Sequence, residues 1–122
     1  MPTITSITST EFEYNLEDVG YGPGGMSLVY DPGASTTRRL FALRVETDTG
    51  LTGEYVGGNS PGAAQINMFA DFLIGKDPLN RERLWSEMKR ALRKYDRMGI
   101  GPVDIALWDF AGKYYDAPIH EL

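Results

Sequence analysis

A chain with no cysteine forms no disulfide, no thiolate metal site and no thiol nucleophile, so carboxylates, amines and a single imidazole are left to do any chemistry. The imidazole is His120, and no upstream group is placed to orient it as a general base. It reads as a surface or hinge residue, and a single His argues against an imidazole-based metal site. Carboxylates are plentiful but none form a run with metal-ligand spacing. Asp104 and Asp109 project from different faces of a helix. Glu11 and Glu13 share a strand face and read as a solvated pair. Glu54, which follows Gly53 at the end of a strand and beside a loop, is the carboxylate best placed for a site.

Two Gly-rich stretches invite a phosphate reading: Gly20-Tyr21-Gly22-Pro23-Gly24-Gly25 and Gly57-Gly58-Asn59-Ser60-Pro61-Gly62. The first lacks the Gly-Lys-Ser/Thr of a P-loop and does not join a strand to a helix as a dinucleotide fingerprint must. It reads better as a lid. Residues 17–37 form a loop of unusual length for a compact domain, and Tyr21, Met26, Leu28 and Tyr30 give it apolar surface to close over something.

These residues hang on elements with readable periods. Residues 3–14 are rich in Thr, Ile, Phe and Tyr and suit a strand, with an imperfect alternation that calls for a bulge or a mostly covered strand. Residues 38–47 alternate better, with Arg39, Phe41, Leu43 and Val45 on one parity. Asp48-Thr49-Gly50 supplies a turn, and residues 51–56 return as a third strand. After Ser60 the period changes from two to about 3.6. Ser60 is the expected N-cap, with Pro61 beginning a helix that carries Ile66, Phe69 and Leu73 and ends near Gly75. Asn80 caps a second helix with a Leu84, Met88, Leu92, Tyr95 stripe, and Gly99 marks its end. A third helix covers residues 100–115. Val103, Ala106, Leu107, Phe110, Ala111 and Tyr114 form one stripe, and Ile105, Trp108, Gly112 and Tyr115 form another. Trp85, Trp108 and Tyr114 sit at helical spacings and read as core. Asp109 and Lys113 are placed to pair. The predicted fold is α+β, a three-stranded antiparallel meander followed by three helices on one face. The last helix has apolar surface for two partners, so the chain reads as one part of a larger protein.

The segment Gly101-Pro102-Val103-Asp104-Ile105-Ala106-Leu107-Trp108-Asp109-Phe110-Ala111-Gly112-Lys113 resembles a recurring helix of the enolase superfamily, in its mandelate racemase/muconate lactonizing enzyme branch. Ala117-Pro118-Ile119-His120-Glu121-Leu122 is similar to the link that leads into that family's barrel. Upstream, Arg44-Val45-Glu46-Thr47-Asp48-Thr49-Gly50-Leu51-Thr52-Gly53-Glu54 is similar to its second and third strands, and Leu73-Ile74-Gly75-Lys76-Asp77-Pro78 to a link between its helices. The resemblance implies that residues 1–115 form an N-terminal capping domain and that residues 116–122 begin a linker into a (β/α) barrel absent here. It implies a full-length enzyme in which the barrel holds Mg²⁺ and a Lys or His base that takes a proton α to a carboxylate, a scheme borrowed from the superfamily rather than derived from these residues. It also implies two substrate-contacting loops, with Tyr21, Gly22, Gly24, Met26 and Tyr30 in the first and Glu54, Tyr55 and Asn59 around the second. No catalytic residue and no metal ligand maps onto this chain.

The sequence carries 12 Lys and Arg against 17 Asp and Glu, a net charge of -5, which disfavours nucleic acid as a partner. The basic residues between positions 81 and 97 alternate with Glu82, Glu87 and Asp96 and read as a solvated helix face. No apolar stretch is long enough to span a membrane and no signal peptide is visible, so a cytoplasmic protein is expected. The function expected is the substrate cap of a Mg²⁺-dependent acid-sugar dehydratase or racemase, with cycloisomerase also open. Its partners are the barrel, a small carboxylate substrate and other copies of itself in a homo-oligomer. The alternative is a non-catalytic interaction or structural domain.

Overall fold

The β-rich segments form one antiparallel sheet in the order β1-β2-β3, in a computed structural model that describes every residue from Met1 to Leu122. β1 is Ile4–Tyr21, β2 is Leu28–Thr47 and β3 is Thr52–Gly57. Helices α1 (Ser60–Leu73), α2 (Arg81–Ala91) and α3 (Ile100–Tyr115) follow, with 3-10 turns at Pro23–Gly25 and Ile119–Glu121. This is the α+β order expected, with no barrel in the chain, and no helix is long and apolar enough to cross a membrane.

The helices cover one face of the sheet. Residues opposite one another in an antiparallel pair share a face, so Ile7, Ser9 and Glu11 lie beside Val45, Leu43 and Phe41, and Gly53, Tyr55 and Gly57 lie beyond them on β3. Phe41, Leu43 and Val45 are fully buried among Ile66, Phe69 and Leu73 of α1, Leu84 and Met88 of α2, and Val103, Ala106 and Leu107 of α3. Each such side chain contributes about 1.5–3 kcal/mol by leaving water. A register shift between Ile4 and Ser6 brings Ile4 and Ile7 to the same core, which explains the imperfect alternation of the first strand.

The structure corrects four sequence readings. The long loop at residues 17–37 is mostly ladder: β1 and β2 stay paired out to Tyr21↔Leu28, leaving a tight tip at residues 22–27. Val19, Tyr21, Val29 and Tyr30 are good strand formers, and their propensity outweighs the neighbouring glycines. The irregularity is a bulge in which Asp18 alone faces residues 31–34, closed by the Gly33 N–H donating to Asp18 Oδ1 at 2.9 Å. Second, the cap of α1 is Asn59 rather than Ser60, since Asn59 Oδ1 accepts the Gly62 N–H at 2.8 Å. Third, α2 stops at Ala91, so Tyr95 leaves the stripe and is exposed, and Gly99 instead begins α3, its N–H donating to buried Gln65 Oε1 at 2.8 Å. Fourth, the aromatic residues read as core are partly exposed. Trp85 and Trp108 are covered by the cations of Lys89 and Arg81, at 4.9 and 3.9 Å, and Tyr114 leans on Phe110 and Tyr115.

Candidate functional site

β3 and α3 are held together more closely than side chains normally allow. Gly53 has no side chain, and a Cβ there would lie 2.1 Å from the carbonyl oxygen of Ala106. The close approach puts polar groups of α3 onto the strand backbone. Asp109 Oδ2 accepts the Glu54 N–H at 2.9 Å, and Lys113 Nζ donates to the Thr52 carbonyl at 2.7 Å and to Asp109 at 2.6 Å. Lys113 also reaches Glu54 Oε2 at 3.5 Å, and Glu54 meets Arg44 at 3.6 Å. Partial burial pulls the Lys113 ammonium pKa down, but the hydrogen bond and charge of Asp109, with Glu54 behind them, outweigh it and leave the pKa raised. The expected Asp109–Lys113 pair is therefore present, and it also bonds to the neighbouring strand. Glu54, a candidate for substrate contact, is engaged in this joint.

The other candidates fall into two groups. Tyr21, Gly22, Gly24, Met26 and Tyr30 sit at or beside the tip of the β1–β2 ribbon. There the Gly22 N–H donates to the Ser27 carbonyl at 2.8 Å and the Gly25 N–H to the Gly22 carbonyl at 2.9 Å. Met26 is 89% exposed and Tyr30 79%, so the tip presents apolar side chains to solvent. Tyr55 and Asn59 flank the turn from β3 into α1. Tyr55 faces the helices with its ring 5.9 Å from that of Phe41, whereas Glu54 points to the opposite face of the sheet. Gly58 has a φ of +70°, and a Cβ there would strike the Phe41 ring at 2.2 Å. Asn59 spends its oxygen on the α1 cap, and its nitrogen points to Met98 Sδ at 3.7 Å.

The chain does not bring the two groups into one pocket. Gly57 is level with Phe41 and hence with Glu11, and Tyr21 lies ten residues further along β1. At ~3.3 Å per residue that is up to about 33 Å of ladder. The four main clefts include none of these residues. One cleft, of about 720 Å³, lies between α2 and α3 and is lined by Arg81, Trp85, Asp104, Trp108 and Leu122. Burial pushes the Asp104 carboxyl pKa up, and the Arg81 charge opposes this in smaller measure. Beside it, Ile105, Trp108, Ile119 and Leu122 line an open apolar depression. Sequence reasoning missed the Arg81–Trp108 stack, because its partners lie on different helices and no spacing links them. His120 is exposed, 3.9 Å from Glu121.

No three His, Cys, Asp or Glu side chains converge in this chain, so its residues do not fit the Mg²⁺ that the resemblance implies.

The profile of the mandelate racemase/muconate lactonizing enzyme N-terminal domain matches residues 27–122. The chain belongs to that family. It is 38% identical over 93 residues to a D-galactarolactone cycloisomerase of Agrobacterium fabrum, a match covering 70% of this chain and 25% of that protein. It is 37% identical over 94 residues to a D-galactonate dehydratase of Ralstonia pickettii, covering 69% of this chain and 24% of that one. A crystal structure of a dipeptide epimerase from Enterococcus faecalis V583, complexed with Mg and a dipeptide, superposes with a TM-score of 0.78 at 18% identity. That superposition covers 98% of this chain and 34% of the epimerase, and it speaks to the fold alone. The chain thus spans about a quarter of the length of the curated relatives it matches.

Proposed function

We propose that residues 1–115 are the substrate-capping domain of a Mg²⁺-dependent enzyme that removes the proton α to the carboxylate of an acid sugar, and that residues 116–122 lead into its catalytic barrel. Dehydration, cycloisomerisation and racemisation all begin with that proton, and the two sugar-acid relatives support the substrate class. The observation that carries the capping role is the ribbon tip: Tyr21, Met26 and Tyr30 are solvent-exposed apolar side chains at the end of a hydrogen-bonded arm. Closed over a barrel mouth, they would exclude water from a charged reaction centre and contact the end of the substrate remote from the metal. Gly22 and Gly24 would belong to the same substrate-contacting loop, and Glu54, Tyr55 and Asn59 to the second. The metal and the base belong to residues outside this chain. The stripe of α3 carrying Ile105, Trp108 and Tyr115 would face the barrel. The complete enzyme would be a cytoplasmic homo-oligomer.

One readout serves all three reaction outcomes. The complete protein, with Mg²⁺ in deuterated water, should abolish the α-proton signal of a five- or six-carbon aldonate or aldarate, by exchange or by conversion to product, read by NMR. Tyr21→Ala or Met26→Ala should lower kcat or raise KM on the accepted sugar acid. An α-proton signal that persists across the whole aldonate and aldarate series would sink the proposal, and unchanged kinetics in both variants would remove the tip from the site.

A further inference from the structure

The β1–β2 ribbon beyond the reach of β3 has one chemically distinct face. Glu11, Glu13 and Glu17 share the helix side of β1, Glu11 level with the last residue of β3 and the other two beyond it, whereas Phe12, Tyr14 and Leu16 lie on the other side. Residues 11–39 hold five acids and two arginines. Glu13 pairs with Arg39 and Asp18 closes the bulge, while Glu11, Glu17 and Asp31 make no ion pair within the chain. A two-stranded ribbon is marginal alone in water and needs a surface to lie on.

The opposite chemistry occurs at the far end of α2. A groove of about 480 Å³ is floored by Phe72, Ala91 and Tyr95 and rimmed by Arg90, Arg93 and Lys94, with Glu87 the one acid in its lining. Residues 87–97 carry five cations against two acids, and Arg90, Arg93, Lys94 and Arg97 have no ion-pair partner in the chain. The basic residues expected to form a solvated face are exposed, and around the groove they outnumber the acids, because Glu87 is paired with Arg83 and Asp96 turns to Gln65.

We propose that this groove receives the acidic face of the ribbon from a second copy of the chain, two copies exchanging ribbons about a two-fold axis. Charge complementarity selects this occupant: unpaired acids on the arm meet unpaired cations on the groove, and each copy carries both. The arrangement covers the ribbon shaft and leaves its tip free. It rests on the homo-oligomer reading and not on the substrate reading.

The test is the mass of the complete protein by sedimentation and light scattering across a concentration series. Glu11→Lys with Glu17→Lys reverses the arm, and Arg93→Glu with Lys94→Glu reverses the groove. All four side chains are exposed, and circular dichroism checks that each variant stays folded. Each reversal should weaken self-association by about tenfold or more, equivalent to about 1.4 kcal/mol. Both reversals in one chain should restore it to within about threefold of the original, since the signs are again opposite. Raising salt from 0.1 to 1 M, which shortens the Debye length from about 10 to about 3 Å, should weaken the unmodified protein. A monomeric parent, a mass indifferent to both reversals, or a combined variant no tighter than either reversal alone would overturn the proposal. The α-proton signal, read on the same samples, bears only on the proposed function, so failure of one is distinguishable from failure of the other.

Discussion

Gly53→Ala, at the β3–α3 contact, and Gly101→Ala, on the exposed first turn of α3, make the same chemical change and should act with opposite sign. At Gly53 the new methyl would sit 2.1 Å from the Ala106 oxygen and 3.0 Å from both the Ala106 carbonyl carbon and Phe110 Cβ. The first of these atoms is helix backbone and cannot swing aside. Comfortable carbon contacts lie at about 3.5–4.0 Å, so β3 and α3 must part by about 1 Å or more. Overpacking of this kind costs about 1–3 kcal/mol, and the parting also stretches the Glu54 N–H to Asp109 bond, worth about 1 kcal/mol more. A loss of about 2–4 kcal/mol follows, a large part of the roughly 5–15 kcal/mol a domain has, and a midpoint about 10 °C lower. At Gly101, in the first turn of α3, a Cβ meets nothing within 4 Å. There the substitution only removes backbone freedom from the unfolded chain and should stabilise by about 0.5–1 kcal/mol. Urea unfolding of the 122-residue chain, followed by Trp fluorescence and circular dichroism, reads both changes as shifts in midpoint at constant slope. A Gly53→Ala chain as stable as the parent would refute the close strand–helix approach, whatever Gly101→Ala did.

Lys113→Met should cost about 1 kcal/mol, discounted because the pairs are partly exposed. The folded-state pKa of Lys113 is raised, so its contribution is full below the unfolded value of about 10.4 and fades as pH rises through the folded one. Parent and variant should converge in strongly alkaline urea titrations, and a gap that persists there would refute the ionic account. Asp104 behaves in the opposite sense: its raised folded pKa means folding takes up a proton, so the ionised group opposes stability above that pKa and the cost disappears as pH falls below the unfolded one. Asp104→Asn should therefore raise the midpoint at pH 7 and leave it unchanged in strong acid, and an equal effect at both would refute the desolvation argument. The isolated chain should bind an apolar-surface dye, and Ile105→Lys, in the depression with Trp108, Ile119 and Leu122, should reduce that signal. A monomeric chain that ignores the dye would count against the uncovered α3 face.

The elements legible in the sequence were those whose period is enforced by a core. Phe41, Leu43 and Val45 alternate because one face of β2 is buried, and Val103, Ala106, Leu107 and Phe110 repeat at helical spacing because α3 lies across that face. Where no core enforces a period, composition misled. The ribbon beyond Phe41 has no hydrophobic core on either face to impose a strong alternation, and its glycines and Pro32 look like a loop although backbone pairing continues to the tip. Asn59 and Ser60 are both acceptable caps by type, and only the position of the Gly62 N–H decides between them. The Gly53 contact left one trace in sequence, a glycine inside a strand, which commonly marks a close backbone approach.

α3 shows why reacting groups and apolar surface separate in this chain. Its inward stripe is spent on the core, as Ala106, Leu107 and Phe110 are fully buried. Its carboxylates are spent on structure: Asp109 holds the Glu54 N–H and Lys113, and Asp104 lies partly desolvated beside Arg81. What remains uncommitted is apolar, with Ile105 49% and Tyr115 53% exposed beside Trp108. A helix whose polar groups are engaged within its own domain and whose free surface is hydrophobic is suited to bury against another body rather than to transfer protons. The ribbon tip likewise presents Tyr21, Met26 and Tyr30 to solvent. Both surfaces are therefore suited to burial against a partner, and under the proposed function the proton chemistry would fall to residues that these two surfaces enclose.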